Sequence, residues 1–137
     1  MDVNEKIVVL GGAFQGKGNF VRQQFGIEKQ DMITSLSQLK KAIKEKKNPL
    51  VVNGFHAVIG EAVSAHENME FLSHWMEEDD FMQGSWIVIS DEVGCGVVPV
   101  SREQRSIREE TGRLLCRFSA QADKVIRVIA GIPTQIK

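Results

Sequence analysis

The sequence predicts an α/β domain in which a mostly parallel sheet lies between two layers of helices. Short runs rich in valine and isoleucine recur, segments with helical periodicity separate them, and glycine-rich turns join the two. The apolar runs are continuous rather than alternating, which is typical of parallel strands covered on both faces. A length of 137 residues predicts a single domain, 1–137, with a hydrophobic core of ordinary size.

The predicted strands are residues 6–10, 49–53, 86–90 and 124–130, with a brief additional strand at 31–33. The predicted helices are residues 19–25, 35–46, 55–65, 68–80 and 101–122. Ser35 with Gln38, and Ser101 with Gln104, have capping-box spacing and mark two helix starts. Gly26 suits the end of the first helix because glycine readily adopts the left-handed conformation.

Composition excludes several classes of function. The net charge of −1 argues against a general nucleic-acid or membrane-surface partner. No apolar run approaches the roughly 18 residues that a membrane-spanning helix needs. The two cysteines, Cys95 and Cys116, form no C-x-x-C pair, which fits reduced thiols. We therefore expect a cytoplasmic protein.

Three charged groups each have an ordinary and a functional interpretation. Lysines crowd one face of the helix at 35–46, either as a solvated face or as a docking site for an acidic partner. His66, Glu70 and His74 are four residues apart and could share a helix face as metal ligands. The acidic run at 77–80 is either a solvated helix end or a cation site. The helix dipole disfavours such a run at a C-terminus.

The candidate binding site is a glycine loop between the first strand and the first helix. The residues expected to contact a nucleotide are Gly11, Gly12, Ala13, Phe14, Gln15, Gly16, Lys17, Gly18 and Asn19. Glycines let successive backbone N–H groups turn toward an anion, and the helix N-terminus adds about half a positive charge. Lys17 would reach the β- and γ-phosphates. The loop is therefore a predicted phosphate-binding loop.

The loop departs from the full phosphate-binding pattern at one position. Gly11, Gly16 and Lys17 match G-x-x-x-x-G-K, but Gly18 stands where a serine or threonine hydroxyl would hold Mg²⁺. The phosphate cradle is predicted and the metal ligand is missing, which leaves Mg²⁺ weakly supported. The alternative is a glycine-rich turn with an accidental lysine.

Polar residues follow two further strands. Asn53 ends one strand, and Asp91 and Glu92 end another. In a parallel sheet the ligand site lies at the carboxyl ends of the strands, so these residues should join the loop at one edge. We expect the Glu92 carboxylate to face the γ-phosphate, where it could bind a metal or orient a nucleophile. The alternative is a polar strand end without a catalytic role.

Five segments resemble one known family. Residues 90–99 (S-D-E-V-G-C-G-V-V-P) are similar to the S-N-E-V-G-x-G-x-V-P segment of the adenosylcobinamide kinase / adenosylcobinamide-phosphate guanylyltransferase family. Residues 108–114 resemble its R-D-x-x-G-R-L helix. Residues 122–125 and 130–137 resemble its A-D-x-V and A-G-x-P-x-x-x-K ending, and residues 11–17 match its G-G-A-x-x-G-K loop. The resemblance covers roughly half of the chain.

The resemblance implies a P-loop α/β domain of the RecA-like type that handles ATP or GTP. The family phosphorylates the aminopropanol hydroxyl of adenosylcobinamide. It then transfers GMP through a guanylylated histidine, in cobalamin assembly and salvage. By this resemblance a corrinoid would be the second ligand and the chain would form a homo-oligomer. The loop pattern and the strand end make Lys17 and Glu92 the candidate catalytic residues.

The chain also departs from the family in three correlated places. Gly18 replaces the Mg²⁺-binding serine, Asn53 stands nearest the family's second acid, and residues 19–55 contain no histidine to carry GMP. His56 follows the strand rather than preceding it, so we do not assign it that role. Three hypotheses follow: a minimal cobinamide kinase without guanylyl transfer, a non-catalytic nucleotide-, corrinoid- or protein-binding relative, and an assembly subunit with a vestigial loop.

Overall fold

The computed structural model describes residues 3–92 and 101–137. Its centre is a five-stranded sheet in the order β2-β3-β1-β4-β5. The strands are β1 (Lys6–Gly11), β2 (Leu50–Asn53), β3 (Trp86–Asp91), β4 (Lys124–Ile129) and β5 (Ile132–Gln135). The first four strands are mutually parallel, and β5 pairs antiparallel with β4 at the edge. This confirms the mostly parallel α/β sheet.

Six α-helices of the described part of the chain surround the sheet. They are α1 (Lys17–Phe25), α2 (Leu36–Lys44), α3 (Phe55–Ser64), α4 (Glu70–Met76), α5 (Asp79–Met82) and α6 (Arg102–Gln121). The predicted capping serines are confirmed, because Ser35 Oγ accepts from Gln38 N–H and Ser101 Oγ accepts from Gln104 N–H. Gly26 caps the end of α1 with a φ of +64°. Most predicted boundaries hold to within about two residues, which is the usual uncertainty of helix ends.

The three strands β1, β2 and β3 are buried on both faces, as their continuous apolar runs predict, whereas β5 is exposed along its length. Along β1, Val8 joins the core beneath α2, α3, α4 and α6, while Ile7 and Val9 join a second core against α1. Successive side chains of a strand point to opposite faces, so a strand between two helical layers must be apolar at every position. The three-layer α/β/α arrangement is confirmed.

Two predicted elements are wrong in detail. Residues 29–31 form a 3₁₀ turn rather than the start of a strand, and Ile33 makes only an isolated bridge to Val52. The helix predicted over 68–80 is two helices, α4 and α5, because Glu78 is extended. Asp79 and Asp80 therefore lie in the first turn of α5, where the helix dipole favours negative charge.

Strand β5 is missing from the sequence prediction. It contains Pro133, which lacks an N–H donor and is confined in sheets to edge strands or bulges. Here Pro133 lies on β5, the edge strand, and pairs with Val128 of β4. The glycine-rich loop predicted at 93–99 lies outside the described residues. No described helix is long and apolar enough to cross a membrane.

Candidate functional site

The turn from β1 to α1 has the geometry of an anion cradle. Gly16 has a φ of +85°, a left-handed conformation that glycine adopts without strain, and α1 begins at the next residue. No described side chain caps α1 at its N-terminus. The first N–H groups of the helix are therefore left for water or for a ligand.

A second helix begins at the same edge of the sheet in the same way. Gly54 follows β2 with a φ of +84°, and α3 starts at Phe55, again with no cap from a described side chain. Both helix starts line one cavity of about 280 Å³, together with Asn53 and Asp91. Each uncapped N-terminus contributes about half a positive charge, so the cavity is suited to an anion.

The glycine loop rests on the turn between β4 and β5. Gln15 accepts from this turn twice: its side-chain Oε1 from Ala130 N–H at 2.5 Å, and its backbone carbonyl from Gly131 N–H at 2.9 Å. Six of the nine residues predicted to contact a nucleotide, 14–19, line the cavity. Phe14 is fully exposed at the rim.

Lys17 is the buried cation of the site. Its side chain is 8% exposed, and its Nζ donates to the Gly12 carbonyl and to Asp91 Oδ1, both at 2.7 Å. The sequence predicts that the Glu92 carboxylate faces the γ-phosphate; in the structure, the carboxylate that contacts the loop lysine is that of Asp91. The pair forms because β1 and β3 are neighbours, with Gly11 opposite Asp91 in the register.

Glu92 points elsewhere in the structure. Its carboxylate accepts from the Arg127 guanidinium at 2.5 Å and 3.0 Å, in a bidentate pair that joins the end of β3 to β4. Successive side chains of an extended segment point to opposite faces, so the carboxylates of Asp91 and Glu92 point in different directions. A catalytic role for Glu92 stays a prediction. In that role the Glu92 carboxylate would have to contact the ligand while it also accepts from Arg127.

His56 is the site residue that the sequence did not assign. It lies in the first turn of α3 and lines the cavity. Its Nδ1 accepts the Asp91 backbone N–H at 3.1 Å, and its Nε2 lies 3.3 Å from Asp91 Oδ2. An acceptor at Nδ1 places the ring proton on Nε2, facing the carboxylate. The available signal was position: a helix that starts after a parallel strand points its first turn at the ligand edge.

The residues present do not fit the usual Mg²⁺ site of such a loop. Gly18 offers no side-chain oxygen, and a Cβ built on it would lie 3.4 Å from Asn53 Nδ2 and 3.8 Å from Asn53 Oδ1. The Asn53 amide donates to Met32 Sδ at 3.7 Å. The nearby carboxylate, Asp91, is bound to Lys17. A neutral amide and a glycine are poor substitutes for a carboxylate and a hydroxyl as Mg²⁺ ligands.

The other candidate metal sites of the sequence are wrong. Helix α4 begins only at Glu70, so His66 lies outside it and does not share a face with His74. Within 3–92 and 101–137, no three His, Cys, Asp or Glu side chains could hold a metal ion. The acidic run at 77–80 is therefore also excluded as a metal site. The lysines of α2 are exposed, as both a solvated face and a docking site for an acidic partner require.

Two glycines of the loop are expected to respond very differently to alanine. A Cβ on Gly11 would lie 2.5 Å from the Val128 carbonyl oxygen and 3.2 Å from Lys17 Cδ, so the backbone must shift. We expect Gly11→Ala to lower the free energy of unfolding by about 1–3 kcal/mol. Gly18→Ala is the matched control, because it meets Asn53 at an ordinary contact distance and gains up to about 1 kcal/mol of helix propensity. Urea unfolding of both variants measures the difference, and equal losses would contradict the close packing at Gly11.

The fold and the site together define a P-loop α/β domain: a parallel strand, a glycine loop with a buried lysine, and a helix whose N-terminus faces a cavity. The family model described as "Cobinamide kinase / cobinamide phosphate guanyltransferase" matches residues 26–136. The chain belongs to this family. The match begins after the glycine loop, so the assignment of residues 11–18 rests on their geometry.

Two curated relatives bear the same name, "Bifunctional adenosylcobalamin biosynthesis protein CobU". The protein of Salmonella typhimurium (strain LT2) is 41% identical over 51 residues, and that of Escherichia coli (strain K12) is 39% identical over 51 residues. The matched stretch covers 37% of this chain and 28% of each relative. The similarity therefore spans less than a third of the length of these relatives.

Proposed function

We propose that this chain binds the phosphates of ATP or GTP in the cavity at Lys17 and acts as a nucleotide-dependent phosphotransferase of the cobinamide kinase type. One observation carries the proposal: a buried lysine and two helix N-termini that no described side chain caps face the same cavity. Residues 11–19 are the nucleotide contacts of the proposal, and Lys17 is its main cation. Membership of the cobinamide kinase family supports a corrinoid as the second ligand.

Each residue has a stated part in this proposal. Phosphoryl transfer depends on positioning and on neutralisation of charge that spreads over the phosphate oxygens. Lys17 would supply the full positive charge, and the N–H groups at the start of α1 would orient the oxygens. Glu92, at the end of β3, is kept as the second proposed catalytic residue, with a nucleophile-orienting role. No Mg²⁺ ligand is included, because Gly18 and Asn53 do not fit one.

Guanylyl transfer is left out of the proposed activity. A histidine that accepts GMP needs a ring nitrogen with a free lone pair directed at phosphorus. His56 is the histidine of this cavity, and its Nδ1 lone pair accepts the Asp91 N–H while its Nε2 faces the Asp91 carboxylate. Both nitrogens are engaged, so His56 acts in the proposal as a partner of Asp91 and not as a nucleophile.

The second candidate function is a non-catalytic relative that binds a nucleotide, a corrinoid or a protein. The paired losses at Gly18 and Asn53 favour it. Binding without turnover would then be the activity of the chain. A third possibility, an assembly subunit with a vestigial loop, predicts a stable oligomer with neither nucleotide binding nor turnover.

Titration with ATP and GTP, with and without Mg²⁺, tests the proposed function. We expect Kd values that Lys17→Ala weakens by about ten- to a hundredfold, because a charged hydrogen bond contributes about 1.5–3 kcal/mol. Lys40→Ala is the matched control, since Lys40 is an exposed lysine paired with Glu67 outside the cavity. Isothermal calorimetry measures the affinity.

Two outcomes would contradict the proposed function. The first is the absence of binding, and the second is binding that Lys17→Ala leaves unchanged. A turnover assay with adenosylcobinamide then separates the kinase from the non-catalytic relative, because only the kinase forms adenosylcobinamide phosphate.

The proposal also includes a homo-oligomer in the cytoplasm. Among the described residues, strand β5 is at one edge of the sheet, and Ile132 in this strand and Ile136 just after it are exposed. An open strand edge with exposed apolar side chains can pair with another chain. The two cysteines form no C-x-x-C pair, which supports a reducing compartment. The net charge of −1 argues against nucleic acid as a partner.

A further inference from the structure

The positive charge of Lys17 is already paired with a carboxylate of the protein, that of Asp91. Of the three N–H donors of its ammonium, one goes to the Gly12 carbonyl and one to the Asp91 carboxylate, each at 2.7 Å. A buried ammonium without an acceptor would be costly, and a carboxylate supplies both a hydrogen bond and an opposite charge. The carboxylate thus makes with Lys17 the contact that a phosphate oxygen would make.

Asp91 also contacts a second side chain, that of His56 in α3. Its Oδ2 lies 3.3 Å from His56 Nε2, and its own backbone N–H donates to His56 Nδ1 at 3.1 Å. The carboxylate therefore bridges the lysine at the start of α1 and the histidine in the first turn of α3. It can release Lys17 and keep His56, so an incoming anion does not leave the acid without any partner.

We propose that Asp91 is an internal competitor for Lys17 that sets the anion affinity of the phosphate loop. A phosphate ligand must take the lysine from the carboxylate, and the carboxylate then stays beside the ligand with its negative charge. Both effects weaken anion binding in the wild-type chain. This inference rests on the proposed function, since it assigns a regulator to the same cavity.

The Asp91→Asn variant tests this inference with magnesium-free pyrophosphate as the probe. The amide keeps the shape of the side chain and removes its charge, so Lys17 loses its competitor. We expect pyrophosphate to bind Asp91→Asn about ten- to a hundredfold more tightly than the wild type, as measured by isothermal calorimetry. Lys17→Ala combined with Asp91→Asn should lose this gain, because the gain acts through the lysine.

Glu67→Gln is the matched control. It removes one negative charge from another lysine–carboxylate pair, Lys40–Glu67, which is exposed and outside the cavity. Salt screens exposed charges beyond about 8 Å at physiological ionic strength, so pyrophosphate affinity should change by less than about twofold. An equal gain in Glu67→Gln would assign the effect to net charge and overturn the proposal.

The remaining outcomes separate this inference from the proposed function. If the wild type binds pyrophosphate through Lys17 and Asp91→Asn binds it equally or more weakly, the inference fails and the proposed function stands. If neither protein binds pyrophosphate or a nucleotide, both fail.

A measurement on the wild type covers the case in which Asp91→Asn does not fold. Pyrophosphate should shift the carboxyl ¹³C resonance of Asp91, assigned through its backbone, as the carboxylate leaves Lys17. A resonance that stays unchanged at saturating pyrophosphate would overturn the proposal.

Discussion

The double variant Gly18→Ser, Asn53→Asp is expected to bind ATP or GTP in the presence of Mg²⁺ about 10²- to 10⁴-fold more tightly than the wild type. The two changes supply a hydroxyl and a carboxylate, and each charge-assisted contact contributes about 1.5–3 kcal/mol if the two are additive. The structure leaves room for the serine, because a Cβ at position 18 lies at ordinary contact distance from Asn53. Calorimetric titration with Mg²⁺, and again with a chelator, measures the change.

The single variants and the metal are the controls for this prediction. Gly18→Ser and Asn53→Asp alone should each give part of the gain, and the chelator should remove it. Adding Lys17→Ala to the double variant should also abolish the gain, since the lysine still carries the phosphate contact. A double variant whose affinity is the same with and without Mg²⁺ would show that these two positions do not face a nucleotide-bound metal.

Phe118→Ala is expected to lower the free energy of unfolding by about 3–5 kcal/mol, the usual cost of removing a buried aromatic ring. Phe118 is 1% exposed on α6. Its ring lies 5.1 Å from Phe55, 5.4 Å from Trp86 and 5.9 Å from Phe81, centroid to centroid. The ring therefore joins α3, α5 and β3, and alanine would leave a cavity among them. Urea unfolding measures the loss.

Phe14→Ala is the matched control for the aromatic core. Phe14 is fully exposed on the glycine loop and has a positive φ. Phenylalanine and alanine are both strained in this conformation, so the backbone strain does not contribute to the difference between wild type and variant. We expect its free energy of unfolding to change by less than about 0.5 kcal/mol. A loss at Phe118 no larger than that at Phe14 would contradict the role of the aromatic cluster in joining the helices to the sheet.

The fold was largely predictable from the sequence because its signals are local. Continuous apolar runs such as residues 6–10 indicate strands covered on both faces, and the serines at positions 35 and 101 mark helix starts by their own hydrogen bonds. Elements without such signals were misjudged. Strand β5 exists only because β4 offers it an edge, and the break at Glu78 has no glycine or proline to announce it.

The site divides in the same way. The loop at 11–18, Asn53 and Asp91 were placed at one edge of the sheet by a general property of parallel strands. Which acid meets Lys17 depends on which side of the end of β3 each side chain points to. The sequence predicts only that Glu92 faces the γ-phosphate; the structure pairs Lys17 with Asp91 and Glu92 with Arg127. Such pairings join residues more than 30 positions apart, so spacing along the chain does not reveal them.

The sequence by itself determined that this chain has a phosphate loop that lacks its metal-binding hydroxyl, because those features are residue identities at fixed spacing. Only the tertiary structure decided that the loop lysine is held by an internal carboxylate, and that a histidine from another helix holds the same carboxylate. The physical reason is that these contacts depend on the strand order β2-β3-β1, which brings the ends of three separate segments within hydrogen-bonding distance.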